Sequence, residues 1–265
     1  MLKQLFINAG IYERLKYSWM FRLYQTLFKP EVKKAAEKEL NFYSSFLSKG
    51  DLVFDIGAND GHKTEAFLQL ANKVVCCEPD AKNFKTLQIR FRNKRNRVML
   101  EQKALGAQEG ILPMFVHHEG SAFNTLNPKF KEVTEADDVE RWNEKINFGE
   151  TLEVPVTTLD NLIAQHGIPF FIKIDVEGYE LQVLKGLSKP VACLSIECLF
   201  PEFREELEES LAIINNLDED AQFNVSVHDE LLFVHFVNLS YLRSFLQTFA
   251  GPHFELVVKM GVSYD

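Results

Sequence analysis

The chain has 265 residues, 46% of them hydrophobic, which is enough to build one large α/β domain with a helical appendage. Its formal net charge of -9 argues against a protein whose main task is to coat nucleic acid, because phosphates are bound by clustered Lys and Arg. There is no apolar run long enough for a membrane span and no signal-peptide core at the start, so the expected location is cytoplasmic.

Residues 1–49 are predicted to form a helical extension ahead of a domain over residues 50–265. Residues 11–28 combine aromatic and basic side chains at helical spacing, Pro30 ends this helix, and a second helix is predicted over residues 31–47. The extension holds nine Lys and Arg but four Asp and Glu, so a basic segment precedes an acidic body. Two interpretations stay open: the extension packs over a sheet, or it contacts a membrane surface or a partner protein. The oligomeric state is open as well.

From residue 51 onward, apolar runs of strand length alternate with amphipathic helical segments. Strands are predicted over residues 52–56, 74–78, 98–105, 111–116, 152–157, 170–175, 191–197, 224–227, 231–236 and 254–258. Helices are predicted over residues 64–70, 80–91, 160–166, 179–186 and 205–217. This alternation is typical of a mostly parallel sheet with helices on both faces. Residues 111–116 are expected to form a hairpin with 98–105, and residues 117–150, which lack a sustained period, are interpreted as a substrate-contacting insertion.

The four cysteines, Cys76, Cys77, Cys193 and Cys198, lie in or beside apolar runs and form no CxxC pair. They are predicted to be small core side chains of a protein in a reducing compartment. Cys76 and Cys77 are not expected to form a disulfide, because neighbours in a strand point to opposite faces.

The segment 55–61, DIGANDG, lies between a predicted buried strand and a helix start, where an open parallel sheet binds ligands. Gly57 lets the chain turn off the strand and lets a ligand lie against bare backbone, and Gly61 lets the helix start pack closely on the strand. Amides at the helix start can hold a carboxylate, while Asp55 suits an amine, which together suggest an amino-acid head group. The predicted ligand contacts are Asp55, Gly57, Ala58, Asn59 and Gly61.

Glu78 follows Gly57 by 21 residues and ends the second predicted strand, immediately before Pro79. A carboxylate there can accept both hydroxyls of a ribose, so the ligand is interpreted as a nucleoside joined to an amino acid. An NAD-binding fold is the alternative, disfavoured because the Gly-x-Gly-x-x-Gly pattern for pyrophosphate is missing. A domain whose acids only cap turns is another.

Five short segments carry a resemblance to a known family. They are residues 55–61 (DIGANDG), 78–79 (EP), 156–160 (VTTLD), 173–180 (KIDVEGYE) and 183–186 (VLKG). Together they resemble the FkbM family of S-adenosylmethionine-dependent methyltransferases, over roughly residues 50–200. The resemblance implies the class I, Rossmann-like fold with a seven-stranded sheet, S-adenosylmethionine as cofactor, and usually methylation of a hydroxyl on a sugar or secondary metabolite.

Residues 173–180 are interpreted as the catalytic segment. Lys173 and Asp175 share one face of a strand, and Asp175 lies at the carboxyl end, facing the crevice. It could act as general base, since methyl transfer to an alcohol is an in-line displacement that also removes the hydroxyl proton. The predicted catalytic residues are Asp175, Lys173 and Glu177. The alternative is that Lys173 pairs with Asp175 or Glu177 to organise the turn.

Substrate contacts are predicted from the insertion and from the end of the next strand. They are His118, Ser121, Asn124 and Glu197. Glu197 could approach Asp175 or Glu177, and such oxygen ligands would suit Mg²⁺. Strand-end carboxylates more often orient substrate or bond to amides, so no metal is predicted.

The sequence therefore predicts an S-adenosylmethionine-dependent methyltransferase, with O-methylation of a saccharide or small-molecule metabolite. The alternatives are a non-catalytic partner subunit that binds S-adenosylmethionine and docks through the N-terminal helix, and an NAD-dependent oxidoreductase. No nucleic-acid partner is expected: the basic run over residues 90–97 is short, ends a predicted helix, and is interpreted as a solvated helix terminus.

Overall fold

Strands and helices alternate along the chain in the computed structural model, which describes residues 15–17, 28–136, 142 and 144–261. The strands are β1 (Gly50–Ile56), β2 (Ala71–Cys77), β3 (Val98–Glu101), β4 (Ala104–Leu105), β5 (Gly110–Val116), β6 (Glu150–Thr157), β7 (Phe171–Ile174), β8 (Cys193–Leu199), β9 (Gln222–Val227), β10 (Glu230–Leu231) and β11 (His253–Lys259). The helices are α1 (Pro30–Phe46), α2 (His62–Leu70), α3 (Ala81–Arg90), α4 (Pro128–Ala136), α5 (Leu159–His166), α6 (Glu180–Leu184), α7 (Arg204–Leu217) and α8 (Leu239–Leu246). The helix predicted over residues 11–28 lies mostly outside the described residues.

A central sheet joins eight strands in the order β10–β9–β11–β8–β7–β1–β2–β3. Neighbours from β3 to β8 pair in parallel, β11 is antiparallel to both β8 and β9, and β10 is antiparallel to β9. All four residues of β7 are buried, as expected for a central parallel strand covered on both faces. The predicted class I α/β fold with a mostly parallel sheet is confirmed, and the short edge strand β10 makes the strand number eight instead of seven.

A second sheet of three strands, in the order β4–β6–β5, corrects two predictions. The run over residues 98–105 is two strands: β3 pairs with β2 in the central sheet, whereas β4 pairs with β6. β5 pairs with β6 along its whole length, so the predicted hairpin between 111–116 and 98–105 is wrong. The sequence could not show this, because an alternating pattern reports strand character without reporting the partner strand.

The last third of the chain also differs from the prediction. Strand structure predicted over residues 231–236 is confined to β10, and α8 was not predicted although Asn238 caps it by accepting from the Tyr241 N–H. Within the segment interpreted as an insertion, residues 128–136 form α4. The first two misses share a cause: short apolar and aromatic runs fit strand and helix patterns equally well.

Helix α1 covers one face of the central sheet. The ring of Tyr43 lies 4.7 Å from that of Phe67 in α2 and 5.8 Å from that of Phe171 in β7. All three side chains are fully buried, and such tilted and edge-on aromatic contacts add to the gain from burial. The second predicted helix of the extension therefore packs over the sheet. No helix among the described residues is long and apolar enough to cross a membrane.

All four cysteines are buried and free, as predicted. Burial raises the pKa of each thiol, which keeps the sulfur atoms protonated and unreactive. They therefore act as small core side chains.

Candidate active site

Four neighbouring strands of the central sheet bring their carboxyl ends into register. Ile56 of β1 lies beside Cys77 of β2 and Ile174 of β7, and Ile174 lies beside Ile196 of β8. The residues that follow these four are, across the sheet, Glu78, Gly57, Asp175 and Glu197. We call these four the strand-end row; at about 4.8 Å between strands it spans about 14 Å, at the edge where open parallel sheets bind ligands.

The row borders a cavity with an empty volume of about 800 Å³, which is partly open to solvent. Of the residues predicted from the sequence, the cavity is lined by Gly57, Asn59, Glu78, Pro79, Ser121, Asn124, Asp175, Glu177 and Glu197. The predicted residues outside its lining are Asp55, Ala58, Gly61, His118 and Lys173. Register orders the polar groups, with Glu78 at the β2 side and Asp175 and Glu197 at the β7 and β8 side. We call this the cofactor cavity, because the sequence predicts a cofactor at this sheet edge.

The loop after β1 uses its backbone amides within the protein. The N–H groups of Gly57 and Ala58 donate to the carbonyl of Cys77, at 3.0 and 3.1 Å. The Asn59 N–H donates to Oε2 of Glu78 at 2.8 Å. The predicted anion cradle is thus not formed by these three amides, whose hydrogen bonds fasten the loop to β2 and its end.

Both glycines of the loop allow close packing. Gly57 has φ of 82°, and a Cβ there would overlap the carbonyl oxygen of Asp175. Gly61 has φ of 80°, and its Cβ would lie 2.6 Å from the ring of Phe91 and 2.7 Å from Leu87. Gly61 therefore packs against α3 and the residue after it, which corrects the prediction that it packs on the strand.

The Glu78 carboxylate is oriented by two backbone amides. Oε2 accepts from Asn59 N–H and Oε1 accepts from Asp80 N–H, each at 2.8 Å. Burial raises the pKa of Glu78 to about 7, although both amide hydrogen bonds favour the ionised form. Each oxygen has a second lone pair, so the carboxylate can still accept two hydroxyl groups from a ligand.

Asp55 lies behind the cavity wall. Its side chain is 2% exposed and accepts a hydrogen bond from the Thr64 hydroxyl of α2 at 2.5 Å. Burial raises the pKa of Asp55 to about 6, against the opposing effects of the Thr64 bond and of Lys173. In this arrangement Asp55 fastens β1 to α2.

Lys173 is a buried cation beneath the strand-end row. Its side chain is 2% exposed, and Nζ lies 3.2 Å from Oδ2 of Asp175 and 3.7 Å from Oε1 of Glu255. Burial acts to lower the pKa of Lys173, but Asp175 and Glu255 outweigh it and raise this pKa well above its usual value. The distances favour the alternative role for Lys173, in which it pairs with Asp175 and fixes its carboxylate.

Asp175 and Glu197 form a hydrogen-bonded carboxyl pair. Burial acts to raise the pKa of Asp175, but Lys173 and the bond from Glu197 hold it well below its usual range. The charge of Asp175 and burial together raise the pKa of Glu197 well above its usual range. The pair therefore holds one proton, on Glu197, and Asp175 is the ionised member.

Glu177 extends this acidic end of the cavity. It follows Asp175 by two residues, with φ of 53°, and lies in the left-handed region that side chains seldom adopt. Burial, and then the charges of Asp175 and Glu180, raise the pKa of Glu177 well above its usual range. Its carbonyl accepts from the Thr125 hydroxyl at 2.7 Å, which fixes the turn against the predicted insertion.

The predicted insertion is tied to the cofactor cavity through Asp80. Oδ1 of Asp80 caps α3 by accepting from the N–H groups of Lys82 and Asn83, each at 2.9 Å. Oδ2 accepts from the Gly120 N–H at 3.1 Å and from the Asn124 side chain at 3.0 Å. His118, by contrast, is exposed on this segment.

Part of the N-terminal extension contacts the loop after β1. The Tyr17 hydroxyl donates to Oδ2 of Asp60 at 3.2 Å, and the guanidinium of Arg90 lies 5.0 Å from the Tyr17 ring. Arg90 also pairs with Asp60 and Glu65, each at 3.1 Å, while Arg97 donates to backbone carbonyls after α2. The interpretation of residues 90–97 as a solvated helix terminus is therefore wrong for both arginines.

Several cavity residues were not predicted from the sequence. They are Asn83, Lys103, Ala104, Leu105, Met114, Ala122, Leu126, Val176 and Tyr179, together with the strand residues Ile56 and Cys77. Lys103 follows β3 at the same sheet edge as Glu78, and its position near the carboxyl end of a predicted strand could have identified it as a cavity residue. Leu105 and Met114 come from the second sheet, whose pairing the sequence did not show. Among the residues that the structure describes, no group of three or more His, Cys, Asp or Glu is arranged to hold a metal ion.

A family model described as Methyltransferase FkbM domain matches residues 55–225, which span the whole strand-end row. The chain belongs to the FkbM methyltransferase family. A relative within this family, 31-O-demethyl-FK506 methyltransferase FkbM of Streptomyces tacrolimicus, is 28% identical over 162 residues. That match covers 53% of this chain and 61% of the relative, so the chain spans less than two thirds of the relative's length.

The chain is also similar to several solved structures. One is precorrin-6y C5,15-methyltransferase of Geobacter metallireducens GS-15, 9% identical, with a TM-score of 0.42 and coverage of 85% of this chain and 87% of that one. Another is SMU.1697c of Streptococcus mutans in complex with SAH, 14% identical, with a TM-score of 0.36 and coverage of 84% and 96%. Both scores are below 0.5, and assignment to the FkbM family depends on the family model.

Proposed function

We propose that this FkbM-family protein uses S-adenosylmethionine to methylate a hydroxyl group on a saccharide or other small metabolite. The observation that carries the proposal is the strand-end row, in which the amide-oriented carboxylate of Glu78 and the Asp175–Glu197 pair face one cavity. Glu78 suits a nucleoside at one end of the row, and the Asp175–Glu197 pair suits a cationic methyl donor at the other end.

The chemistry of the lining residues fits S-adenosylmethionine. Each carboxylate oxygen of Glu78 accepts one amide hydrogen bond and keeps a second lone pair for a ribose hydroxyl. Leu105 and Met114 provide apolar surface for a flat base. The ionised carboxyl group of Asp175 lies at the end where a positive charge is favourable. NAD would bring a pyrophosphate, for which the loop amides that bond to Cys77 and Glu78 offer no cradle.

The acidic end of the cavity offers one ionised carboxylate to the acceptor. When bound, S-adenosylmethionine supplies an electrophilic methyl group whose carbon–sulfur bond breaks as the acceptor oxygen–carbon bond forms. The acceptor hydroxyl must then lose its proton, and Asp175 is the ionised carboxylate of the pair. Lys173 keeps Asp175 ionised, and Glu197 orients it through a hydrogen bond. Oxygen as the target atom is further supported by the name of the Streptomyces relative, a 31-O-demethyl-FK506 methyltransferase.

A nucleic-acid acceptor is not part of this proposal. The two arginines at the ends of the basic run, Arg90 and Arg97, already bond to acidic side chains and backbone carbonyls of the protein. Phosphate binding needs such cations to be available on a surface.

Isothermal titration with S-adenosylhomocysteine tests the proposal first. We expect saturable binding, tighter than that of NAD measured in the same buffer. Glu78→Ala should weaken S-adenosylhomocysteine binding about tenfold to a hundredfold, because it removes an oriented charged acceptor for the ribose. Folded protein that shows no binding at millimolar S-adenosylhomocysteine would refute the proposal.

Asp175→Asn provides the matched variant at the other end of the row. Its affinity for S-adenosylhomocysteine should stay within about threefold of wild type, because a group that acts on the acceptor proton contributes to the transition state and little to cofactor binding. Loss of binding in Asp175→Asn would make Asp175 a cofactor or folding residue instead.

A further inference from the structure

A second cavity adjoins the cofactor cavity at its acidic end. Glu177 and Glu197 line both cavities. The second cavity has an empty volume of about 540 Å³, and Phe123, Phe130 and Trp142 also line it. An in-line displacement requires the acceptor to approach the methyl group from the side opposite the leaving sulfur. The second cavity, beyond the acidic end of the cofactor cavity, has room for an acceptor that approaches in this way.

Another neighbouring cavity is less suitable. It adjoins the cofactor cavity through Leu126 and Tyr179 and includes Gln182 and Glu206 in its lining. The Glu206 carboxylate lies 2.7 Å from Nζ of Lys129 and is engaged in that ion pair. Neither member of the Asp175–Glu197 pair lines this cavity, whereas Glu197 lines the second cavity.

We propose that the second cavity binds the methyl acceptor, and that this acceptor is a neutral, hydroxyl-bearing saturated ring of the sugar class. This proposal rests on the proposed function. The apolar C–H face of the ring packs against Phe123 and Trp142, and its hydroxyls bond to Glu177 and Glu197. The methylated hydroxyl is the one that reaches past these carboxyls toward Asp175.

The aromatic side of the cavity is built to contact a flat apolar face. The ring of Trp142 lies 5.5 Å from that of Phe123, at an interplanar angle of 82°, and 6.4 Å from that of Phe130, at 56°. Phe130 is 2% exposed and packs against the Gly178 backbone, so it forms a fixed base for the Trp142 ring. Aromatic rings favour apolar ligand faces, whereas a purely hydrocarbon acceptor would leave the carboxyl groups opposite without partners.

The carboxyl side of the cavity favours hydroxyls over charged groups. Burial raises the pKa of Glu177, and the charge of Asp175 raises that of Glu197, so the uncharged form of each carboxyl group is favoured. An uncharged Glu177 can donate as well as accept hydrogen bonds, and Glu197, which bonds to Asp175, keeps oxygen lone pairs for a ligand hydroxyl. An anionic acceptor would be opposed by Asp175 and by Glu180, which lines the same cavity.

The two sides of the cavity are held together by one segment. The Thr125 hydroxyl donates to the carbonyl of Glu177 at 2.7 Å, and the Asn127 side chain donates to the carbonyl of Gly178. The chain that supplies Phe123 and Phe130 therefore also fixes the turn that presents Glu177. Spacing between the aromatic and carboxyl groups is set by hydrogen bonds, which gives the cavity a defined width.

Trp142 gives this proposal a direct probe, because the chain has two tryptophans, Trp19 and Trp142. Trp19→Phe leaves Trp142 as the indole fluorophore. With S-adenosylhomocysteine saturating, this protein is titrated with methyl glycosides of common hexoses, deoxyhexoses and pentoses, and separately with cyclohexylamine and cyclohexanecarboxylate. We expect a saturable change of Trp142 emission with at least one glycoside and none with the two charged rings.

Two further variants in the Trp19→Phe protein locate the effect. Phe123→Leu should weaken glycoside binding about fivefold, since it removes an aromatic face while keeping an apolar side chain. Gln182→Ala, in the other neighbouring cavity, should leave glycoside binding unchanged. Both variants are first titrated with S-adenosylhomocysteine by calorimetry, and unchanged affinity shows that the cofactor cavity is intact.

The outcomes separate this proposal from the proposed function. If S-adenosylhomocysteine binds but no glycoside does, or if cyclohexylamine or cyclohexanecarboxylate binds instead, the sugar-class acceptor is refuted and the cofactor assignment stands. If Gln182→Ala weakens glycoside binding and Phe123→Leu does not, the acceptor lies in the other cavity. If S-adenosylhomocysteine itself fails to bind, the proposed function falls, and this proposal with it.

Discussion

Gly57 lies in the strand-end row between Glu78 and Asp175, and Asp175 directly follows the adjacent strand β7. Its positive φ and the nearby Asp175 carbonyl leave no room for a side chain. Glycine therefore sets how closely β1 and the residue after β7 approach each other. The distance from Glu78 to Asp175 depends on this contact, since Gly57 separates them in the sheet.

We expect Gly57→Ala to lower the free energy of unfolding by about 3 kcal/mol or more, because alanine would combine a strained φ with overlap against backbone. Urea unfolding followed by circular dichroism measures the loss. Gly110→Ala is the control, since a Cβ at that exposed position would meet nothing within 4 Å. Its change should stay within about 0.5 kcal/mol. Equal losses at the two glycines would contradict the role assigned to Gly57.

At the level of single residues, the sequence predicted which side chains lie at strand ends better than it predicted their hydrogen-bond partners. Glu78 and Asp175 could be placed at strand ends from local apolar runs alone. That Glu78 accepts from Asn59, or that Asp55 accepts from Thr64, depends on how segments distant in the chain come together. Even the glycines show this, because Gly61 was expected to pack on a strand and packs on Phe91.

Helix α3 begins at a side chain that also serves a second segment. One oxygen of Asp80 caps the helix and the other holds the backbone of Gly120 and the amide of Asn124. Because Asn124 and Ser121 line the cofactor cavity, the helix start and the cavity wall depend on one carboxylate.

Asp80→Ala should lower the free energy of unfolding by about 1 kcal/mol through loss of the cap. It should also speed amide hydrogen exchange over residues 120–125 and weaken S-adenosylhomocysteine binding. Asn238→Ala removes the cap of α8, where Asn238 accepts from Tyr241 N–H. This control should cost similar stability and leave both exchange over 120–125 and ligand affinity unchanged. Unaltered exchange in Asp80→Ala would show that the segment is held by other contacts.

At the level of elements, helices and strands were predicted where the apolar period was sustained over a whole element. Helix α7 was predicted to within one residue at its start, since its apolar positions recur at helical spacing. The split of residues 98–105 into β3 and β4 was missed, because the partner of β4 is β6, about fifty residues later. Pairing between distant strands leaves no mark in the short pattern of either one.

Across the whole molecule, buried carboxyl groups make stability depend on pH. Burial raises the pKa of Asp55 to about 6 and those of Glu78 and Glu180 to about 7. A carboxyl group with a higher pKa in the folded state binds its proton more tightly there, so stability falls as pH rises between the unfolded and folded pKa values. For Glu180 this window extends from 4.5 to about 7.

Glu180→Gln isolates one of these groups without removing its hydrogen bonds. Oε1 of Glu180 accepts from both Val176 N–H and Gly178 N–H, each at 3.1 Å, and a glutamine oxygen can do the same. Between pH 5 and pH 7.5 the variant should gain about 2 kcal/mol of stability relative to wild type. Urea unfolding at both pH values measures this difference, with the exposed Glu109→Gln as control, expected to follow the wild-type curve. A difference that does not grow with pH would contradict the raised pKa of Glu180 in the folded state.

The overall fold was the most predictable level, because the alternation of apolar strands with amphipathic helices from residue 51 onward admits few topologies. The sheet edge at which we propose that the cofactor binds followed from this. The second cavity did not, since Phe130 and Trp142 come from a segment without a sustained period and meet Glu177 through tertiary contacts alone.

The contact between Tyr17 and Asp60, together with Tyr43 against Phe67 and Phe171, bears on how the domain can be divided. Residues before 50 were described from the sequence as an appendage to a separate domain. Cutting the chain at that boundary would strip the aromatic cover from two core rings and remove a hydroxyl bonded to the loop after β1. The shortened protein would expose apolar surface that α1 now covers. The smallest autonomous folding unit of this protein therefore includes α1.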